Sequence, residues 1–441
     1  MQIVQQILFI LLTGAAIYFF AKKVGEIRRN IKLGRDEDLS DNSGQRWRNM
    51  VLLALGQKKM FKRPIPAILH LFVYAGFIII NIEILEIILD GILGKHRLFA
   101  PMLGGLYSVL VGSFEVLAAL VLISCVIFLI RRNMLKIPRL IKGELKGWPK
   151  NDANIILITE VVLMSLFLAM NTADLVLQSR GIAHYTQTEP FWLTSNFTSM
   201  FAGLSDNALI AIERGGWWLH IIGVLLFMNY LPYSKHFHVI VAFPNAYYMR
   251  LAQQGEISNM KDIQNEVLYM MEPDKAPTDA PPAEPQRFGA KDVMDLSWKN
   301  LMDSYACTEC GRCTDMCPAN QTGKLLSPRK IMMDTRDRLE EVGANINKNK
   351  EFQDDGKSLV HDYISVEELR ACTTCQACVE ACPVTINPLD IITQLRRYLI
   401  MEESNSPEEW NLMFSNVENN MAPWKFSPDE RDKWAEEMAE A

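Results

Sequence analysis

The sequence predicts an all-α protein: five membrane-spanning helices followed by a helical soluble domain built around two four-cysteine loops. Three observations lead there. Residues 1–243 are strongly apolar, whereas 245–441 read as an ordinary acidic soluble protein, a split that the mean hydropathy of +0.04 conceals. Five runs, near 3–21, 65–93, 104–130, 154–177 and 217–242, are long and apolar enough to cross a bilayer. Eight of the nine cysteines form two copies of Cys-x2-Cys-x2-Cys-x3-Cys-Pro, with no alternating strand pattern around them.

The first apolar run lacks a basic segment before it and is followed by Lys22 and Lys23, so it reads as a retained span and not a cleaved leader. Loop charge sets the orientation. Twelve Lys and Arg lie between the first and second spans and seven between the third and fourth. The 94–103 loop holds only Lys95 and Arg97, and the 179–215 loop only Arg180 and Arg214. The basic loops belong on the cytoplasmic side, so the N-terminus is expected outside and the soluble half in the cytoplasm. The net charge of −6 and the lack of a basic block in the soluble half exclude nucleic-acid binding as a theme.

The cysteine runs are Cys307, Cys310, Cys313, Cys317 with Pro318, and Cys372, Cys375, Cys378, Cys382 with Pro383. This spacing wraps a [4Fe–4S] cube, and in two-cluster proteins the fourth cysteine of each run ligates the other cluster. The expected sets are therefore Cys307, Cys310, Cys313 and Cys382 for cluster 1, and Cys372, Cys375, Cys378 and Cys317 for cluster 2. Structural zinc takes separated cysteine pairs, which this run is not, and a cytoplasmic location opposes disulfides. Cys125, inside an apolar run, reads as a small buried hydrophobe.

Histidines and acids inside spans need a reason. His70 lies near the inner end of the second span, His220 near the outer end of the fifth and His238 at its inner end beside His236. His70 and His238 share a depth, as two axial imidazoles of one b-type haem require. On one continuous helix His220 and His238 would sit on the same face, about 27 Å apart, which makes His220 a candidate for a second haem. Its partner position on the second span would be Ile80; His96 and His184 lie in outer loops. The bland alternative is that these rings only hydrogen-bond neighbouring helices. Glu83, Glu86 and Asp90 share one face of the second span, and Glu83 with Glu86 is the candidate quinone or proton site. Glu115, Glu160 and Asp174 are further intramembrane acids, and Glu115 with Glu160 would line an ion path if the chain were part of a pump.

Beyond the fifth span, Tyr247 to Met271 reads as helical, then Pro273, Pro277, Pro281, Pro282 and Pro285 make a stiff linker. A helix is expected from near Asp295, another after Ser327-Pro328, a capping box at Ser365 and Glu368, and a helix over Leu389 to Glu402. The expected domains are 1–243 in the membrane, 244–294 as connector, 295–400 around the clusters and 401–441 as an acidic tail. Trp410, Trp424 and Trp434 of that tail suit either docking or packing onto the domain.

The paired runs, the long helical insert and the stretch Asn387-Pro388 through Leu395-Arg396-Arg397 resemble the helical double-cluster ferredoxin subunit of heterodisulfide reductases and the second cluster domain of succinate dehydrogenases. Five spans, His70, and Ser234-Lys235-His236-Phe237-His238 ending the fifth resemble the cytochrome b subunit of heterodisulfide reductases and the nitrate reductase gamma subunit. The gamma family pairs two histidines of the second span with two of the fifth, 18 residues apart; here the second span holds only His70, so the resemblance implies one haem b on the cytoplasmic side. It also implies a five-helix cytochrome b-type bundle fused to an α-helical ferredoxin domain.

The expected function is that of a multi-pass subunit of the cytoplasmic membrane, an oxidoreductase subunit of menaquinol:acceptor type. It would pass electrons between quinone and a cytoplasmic partner through haem b and two [4Fe–4S] clusters. No adjacent cysteine pair is present, so the acceptor chemistry is expected on a separate heterodisulfide reductase-like subunit of a hetero-oligomeric complex. No Gly-rich fingerprint for flavin or NAD is present. The competing expectations are a haem-free anchor presenting a ferredoxin and a subunit of a redox-driven ion pump.

Overall fold

The computed structural model describes residues 2–253, 255–277 and 287–440. Among them there is no strand, only two isolated bridges, Arg35 to Ser297 and Val360 to Ile364. Of the expected linker, Pro281, Pro282 and Pro285 lie outside the described residues.

Among the described residues five helices are long and apolar enough to cross a membrane. They are α1 (Gln2–Ile31), α2 (Pro64–Leu93), α3 (Gly105–Asn133), α4 (Trp148–Ser179) and α5 (Asp206–Tyr230). Local chemistry sets their ends. Pro64 starts α2 where its missing N–H costs nothing, and Gly94, at φ +66, stops it in the left-handed cap. Ser205 caps α5 by accepting from the Ala208 N–H at 3.3 Å. α4 packs on α3 and α5, α3 on α2, and α1 against α2 and α5. Phe114, Val121, Phe167 and Ile221 fill the centre. Gly76 lets α2 approach α3, because a Cβ there would stand 2.4 Å from Val121 Cγ2. Outward residues are apolar and open: Ile3 is 71 % exposed and Leu106 70 %, a surface that suits lipid.

The fifth span departs from the sequence expectation. It begins at Asp206, earlier than expected, and stops at Tyr230; two tight turns, Leu231–Tyr233 and Lys235–Phe237, precede a separate helix α6 (His238–Tyr247). Pro232 removes a backbone donor there. Buried Asp152 of α4 holds the turn, accepting from Ser234 Oγ at 2.6 Å, the Lys235 N–H at 3.2 Å and Tyr230 Oη. His220 and His238 are therefore not on one continuous helix, and their five-turn phase relation does not hold. The stretch expected to be helical from Tyr247 to Met271 is helical only at Lys261–Met271 (α7). Arg250, in the non-helical part, is drawn to Glu37 at 2.8 Å and Asp390 at 2.5 Å.

The soluble half includes α8 (Trp298–Ala306), α9 (Arg312–Met316), α10 (Pro328–Asn349), α11 (Val366–Arg370), α12 (Ala377–Ala381), α13 (Pro388–Met401) and α14 (Glu408–Asn420), besides short helices at Pro318–Gln321 and Lys433–Glu440. Ser327 caps α10 and the Ser365/Glu368 capping box starts α11, as their spacing requires. In the tail, Trp410, Trp424 and Trp434 are 42 %, 50 % and 65 % exposed.

The two halves share one core. Ile27 of α1, Phe237 and Val241 pack with Leu301, Ile331, Leu339, Val360 and Leu395. Asn30 Nδ2 donates to Tyr305 Oη at 3.2 Å, and Arg29 Nη2 to the Gly343 carbonyl at 3.0 Å. The loops before α2 and between α3 and α4 add Arg63 to Asp315 at 2.5 Å and Glu144 to Arg329 at 2.7 Å.

Asp390 anchors this seam. It is buried and pairs with Arg250, with Ser258 and Asn300 donating to it at 2.6 and 2.9 Å. Burial pushes its carboxyl up, but Arg250 and the hydrogen bonds outweigh that and hold it below the ordinary 3.8. Its contribution is full above that value and is lost as pH falls through the lowered folded value. Asp390→Asn should cost about 3–5 kcal/mol at neutral pH by leaving Arg250 underpaired. In thermal unfolding, the gap between variant and native protein should narrow as pH drops below 3.8.

Candidate functional site

The two cysteine runs fold alike. In the first, Glu309 and Gly311 take φ +53 and +71; in the second, Thr374 and Gln376 take φ +57 and +60 at the same places. Left-handed residues at these positions curl each loop around its thiols. The short helices α9 and α12, which carry the third cysteines, pack against each other. Cys307, Cys310, Cys313 and Cys382 line one cavity, and Cys317, Cys372, Cys375 and Cys378 line another.

The donor chemistry fits an iron–sulfur group. Each cavity offers four thiols. Among the described residues no three His, Cys, Asp or Glu side chains close on a single ion. Burial pushes Cys307 up to about 11 and Cys378 and Cys382 up to about 12. Thiolates in such places need positive charge beside them, which a bound metal core supplies. Backbone amides also point at sulfur: Thr374 N–H to Cys372 and Ile386 N–H to Cys382, both at 3.4 Å.

The surroundings of the two cavities differ. Arg312, 5 % exposed, lines the first, where the Lys59 carbonyl accepts from it at 3.5 Å. Glu309, buried, is held between Arg336 at 2.7 Å and Lys235. Arg336 and Lys235 outweigh the burial that pushes its carboxyl up, so it stays below the usual carboxylate range. The second cavity reaches the surface at Cys375, which is exposed.

At the end of the bundle that packs on the cysteine domain, the His70 and His238 rings stand 6.5 Å apart at 42°. Metal–imidazole bonds of about 2 Å put the centroids of two axial rings roughly 6 Å apart, so the spacing suits a shared iron. His70 Nδ1 donates to Gln57 Oε1 at 3.1 Å and His238 Nδ1 to the Lys235 carbonyl at 3.0 Å. Both Nε2 atoms are left for a ligand, the arrangement that fixes metal-binding histidines. His236 lies 5.7 Å from His238, and its buried Nε2 has no hydrogen-bond partner.

His220 is buried, with Nδ1 donating to the Leu163 carbonyl at 3.0 Å and its ring 6.2 Å from Phe167. Among the described residues no second histidine ring lies against it. His96 instead faces Asp174 at 3.4 Å and His184 at 5.7 Å.

Glu83 and Glu86 are both buried, but they are engaged differently. Glu86 accepts from the Phe99 N–H and Tyr107 Oη, each at 2.8 Å; Asp90 accepts from the Arg97 and Leu98 N–H groups at 2.8 and 2.9 Å. Arg97 continues to Asp174 and Asn171. These acids tie down the 94–99 loop. Glu115 does the same for Leu193 and Thr194. Like Asp174 Oδ1, Glu83 Oε2 has no hydrogen-bond partner among the described residues. The cavity beside it has room for about 20 Å³, enough for about one water.

Gln57, Lys235, Glu309 and Arg312 are the site residues that sequence reasoning missed. Lys235 stood inside the quoted Ser234–His238 segment, and Arg312 next to Cys313. Gln57 carried no signal, since its place depends on a left-handed turn at φ +49.

Comparison with known proteins bears on the cysteine half of the chain. The 4Fe-4S dicluster domain family matches residues 306–386. The chain is 29 % identical to the probable iron-sulfur-binding oxidoreductase FadF of Bacillus subtilis, over 100 % of this chain and 62 % of that protein. It is 27 % identical to the EtfAB:quinone oxidoreductase of Syntrophomonas wolfei, over 96 % of this chain and 56 % of that protein. It is 34 % identical over 120 residues to one subunit of the ferredoxin/F(420)H(2)-dependent CoB-CoM heterodisulfide reductase of Methanosarcina acetivorans, 27 % of this chain and 60 % of that polypeptide. The chain thus spans about three fifths of the length of the first two relatives. No solved structure matches it. Its relatives are iron–sulfur oxidoreductases, and its cysteine half is similar to part of a heterodisulfide reductase, as the motif suggested.

Gly311 offers a direct check of the first loop. At φ +71, a Cβ there would stand 2.4 Å from Arg329 Nη1 and 3.2 Å from the Arg139 carbonyl. Gly311→Ala should cost at least about 1–2 kcal/mol through the backbone alone. It should lower the iron-to-protein ratio and the temperature at which visible absorbance is lost.

Proposed function

We propose that this chain is the membrane-bound electron-transfer part of an oxidoreductase, exchanging electrons between the quinone pool, probed most simply as menaquinol, and a cytoplasmic redox protein. Two [4Fe–4S] clusters and a haem b, when bound, would supply one-electron carriage. Cys307, Cys310, Cys313 and Cys382 would hold one cluster and Cys372, Cys375, Cys378 and Cys317 the other. His70 and His238 would hold the haem.

One observation carries this reading. The Lys235 carbonyl holds His238, while the Lys235 ammonium reaches Glu309, between Cys307 and Cys310. A single residue thus ties the histidine pair to the first cysteine loop. Buried cations around that loop, Arg312 above all, offset the negative charge that four thiolates bring. The exposed Cys375 side of the second loop is where a soluble partner would meet the chain. The relatives' names suggest the partner's type, an EtfAB-like or heterodisulfide reductase-like protein, and the quinone on the other side. The basic inner loops argue for a cytoplasmic soluble half and an N-terminus outside.

His220 is retained as a histidine that packs α5 on α4 through Leu163, because it lacks a facing ring. Glu83, with a free carboxylate oxygen beside a water-sized space, is the proton-holding member of the Glu83/Glu86 pair.

Two measurements test the reading. The reduced-minus-oxidised spectrum of native protein should show a b-type band that His70→Ala and His238→Ala each abolish; no such band in native protein would reduce the membrane half to an anchor. Cys317→Ser should disturb the paramagnetic signal lost in Cys375→Ser and spare the one lost in Cys310→Ser. If it instead follows Cys310→Ser, the crossed assignment fails.

A further inference from the structure

A groove of about 520 Å³ runs between the inner halves of α1 and α5. Its wall is apolar along Leu12, Ala16, Phe19, Leu225 and Leu226, and its inner end is polar, with Lys22, Lys23, Glu26, Asn229 and Tyr233. From Leu12 to Glu26 it follows α1 for about 21 Å, long enough for an extended hydrocarbon chain lying along the bilayer normal.

The polar end is nearly neutral. Lys23 Nζ pairs with Glu26 at 3.5 Å and Glu340 at 3.1 Å, and stands 5.0 Å over the Tyr233 ring. With Lys23 already matched by two carboxylates, only Lys22 is left to attract a phosphate. What the end offers is a carboxylate, an amide, a phenol and an ammonium, which can donate to and accept from the oxygens of an uncharged ring. The flanking Phe19 and Tyr233 rings are 60 % and 61 % exposed.

Position argues the same way. Tyr233 belongs to the turn that leads to His236 and His238. Glu340, the partner of Lys23, also accepts from Tyr305 Oη at 2.5 Å, two residues before Cys307. The polar end is therefore linked through the Tyr233 turn to the segment carrying His236 and His238, and through Glu340 to the helix that leads into Cys307. The cavity at Glu83, with its room for about 20 Å³, is too small for a ring.

We propose that the α1/α5 groove binds an isoprenoid quinone or quinol, its chain along Leu12, Ala16 and Leu225 and its ring between Lys23, Glu26, Asn229 and Tyr233. This rests on the quinone reading above and adds where the molecule sits.

The test uses the full chain with its cofactors in phosphatidylcholine nanodiscs and a fluorescent alkyl-hydroxyquinoline N-oxide as quinol mimic. Quenching should saturate at one mimic per chain. Ala16→Trp and Leu225→Trp, which fill the groove from the lipid side, should each weaken binding at least about tenfold, close to 1.4 kcal/mol. Glu26→Gln and Tyr233→Phe should weaken it less, and Val116→Trp on the lipid face of α3 should not change it. Visible spectra identical to native protein establish that the variants are folded. Native affinity in both tryptophan variants overturns the groove while leaving the quinone reading intact, and so does binding lost only on Glu83→Gln. Native mass spectrometry showing an anionic phospholipid displaced by Ala16→Trp, with the mimic unaffected, also overturns it. If native protein binds no mimic and menaquinol reduces none of its chromophores, both readings fall.

Discussion

The buried carboxylate of Asp152 is the constraint on which the rest of the arrangement depends. It sits on α4, 2 % exposed, and gathers Tyr230, Ser234 and the Lys235 backbone around itself. A proline-broken helix end would otherwise leave donors and carbonyls unpaired at the edge of the bilayer, where that is costly. With the turn fixed, the Lys235 carbonyl can hold His238, and its ammonium can reach across to Glu309. The histidine pair and the first cysteine loop are thereby set against each other by one short turn.

The same economy shows in the shared core. The soluble half is not hung from the membrane on a free linker. The last turns of α1 supply Ile27 to its interior, and α6 supplies Val241. Asn245 of α6 donates to the Val384 carbonyl at 2.9 Å, just past Cys382. Such a seam suppresses relative domain motion, which for electron carriers keeps donor and acceptor at a constant separation. An exposed linker would allow that separation to vary with every hinge movement.

The two cysteine loops have nearly the same backbone but opposite settings. The first is enclosed by Arg312, Arg336, Glu309 and Lys235 against the membrane half. The second opens to solvent at Cys375, and the nearby Arg396 is spent on the Leu369 and Cys372 carbonyls. Uncompensated buried charge is expensive and exposed charge is not. The inner loop therefore has its counter-charges built in, whereas water serves the outer one. That asymmetry gives the pair a direction in space: one end toward the histidines of the helix bundle, the other toward solvent at Cys375.

Much of this was legible from residue order alone, and for definite reasons. Hydropathy specifies spans because unsatisfied backbone is excluded from lipid. The Cys-x2-Cys-x2-Cys-x3-Cys spacing is local, so it marks each loop wherever the loop lies, and the caps at Ser327 and Ser365 act within four residues. His70 and His238 were singled out by depth. Pro232 marks the break in the sequence, but only tertiary structure sets the end of α5 at Tyr230, because the stabilising partner, Asp152, lies 78 residues away from that tyrosine. It alone placed Gln57 behind His70, Glu309 beneath Lys235, and a lipid-facing groove between the first and fifth spans. Gln57 and His70 lie 13 residues apart and Lys235 and Glu309 74, and no periodicity or motif records such contacts.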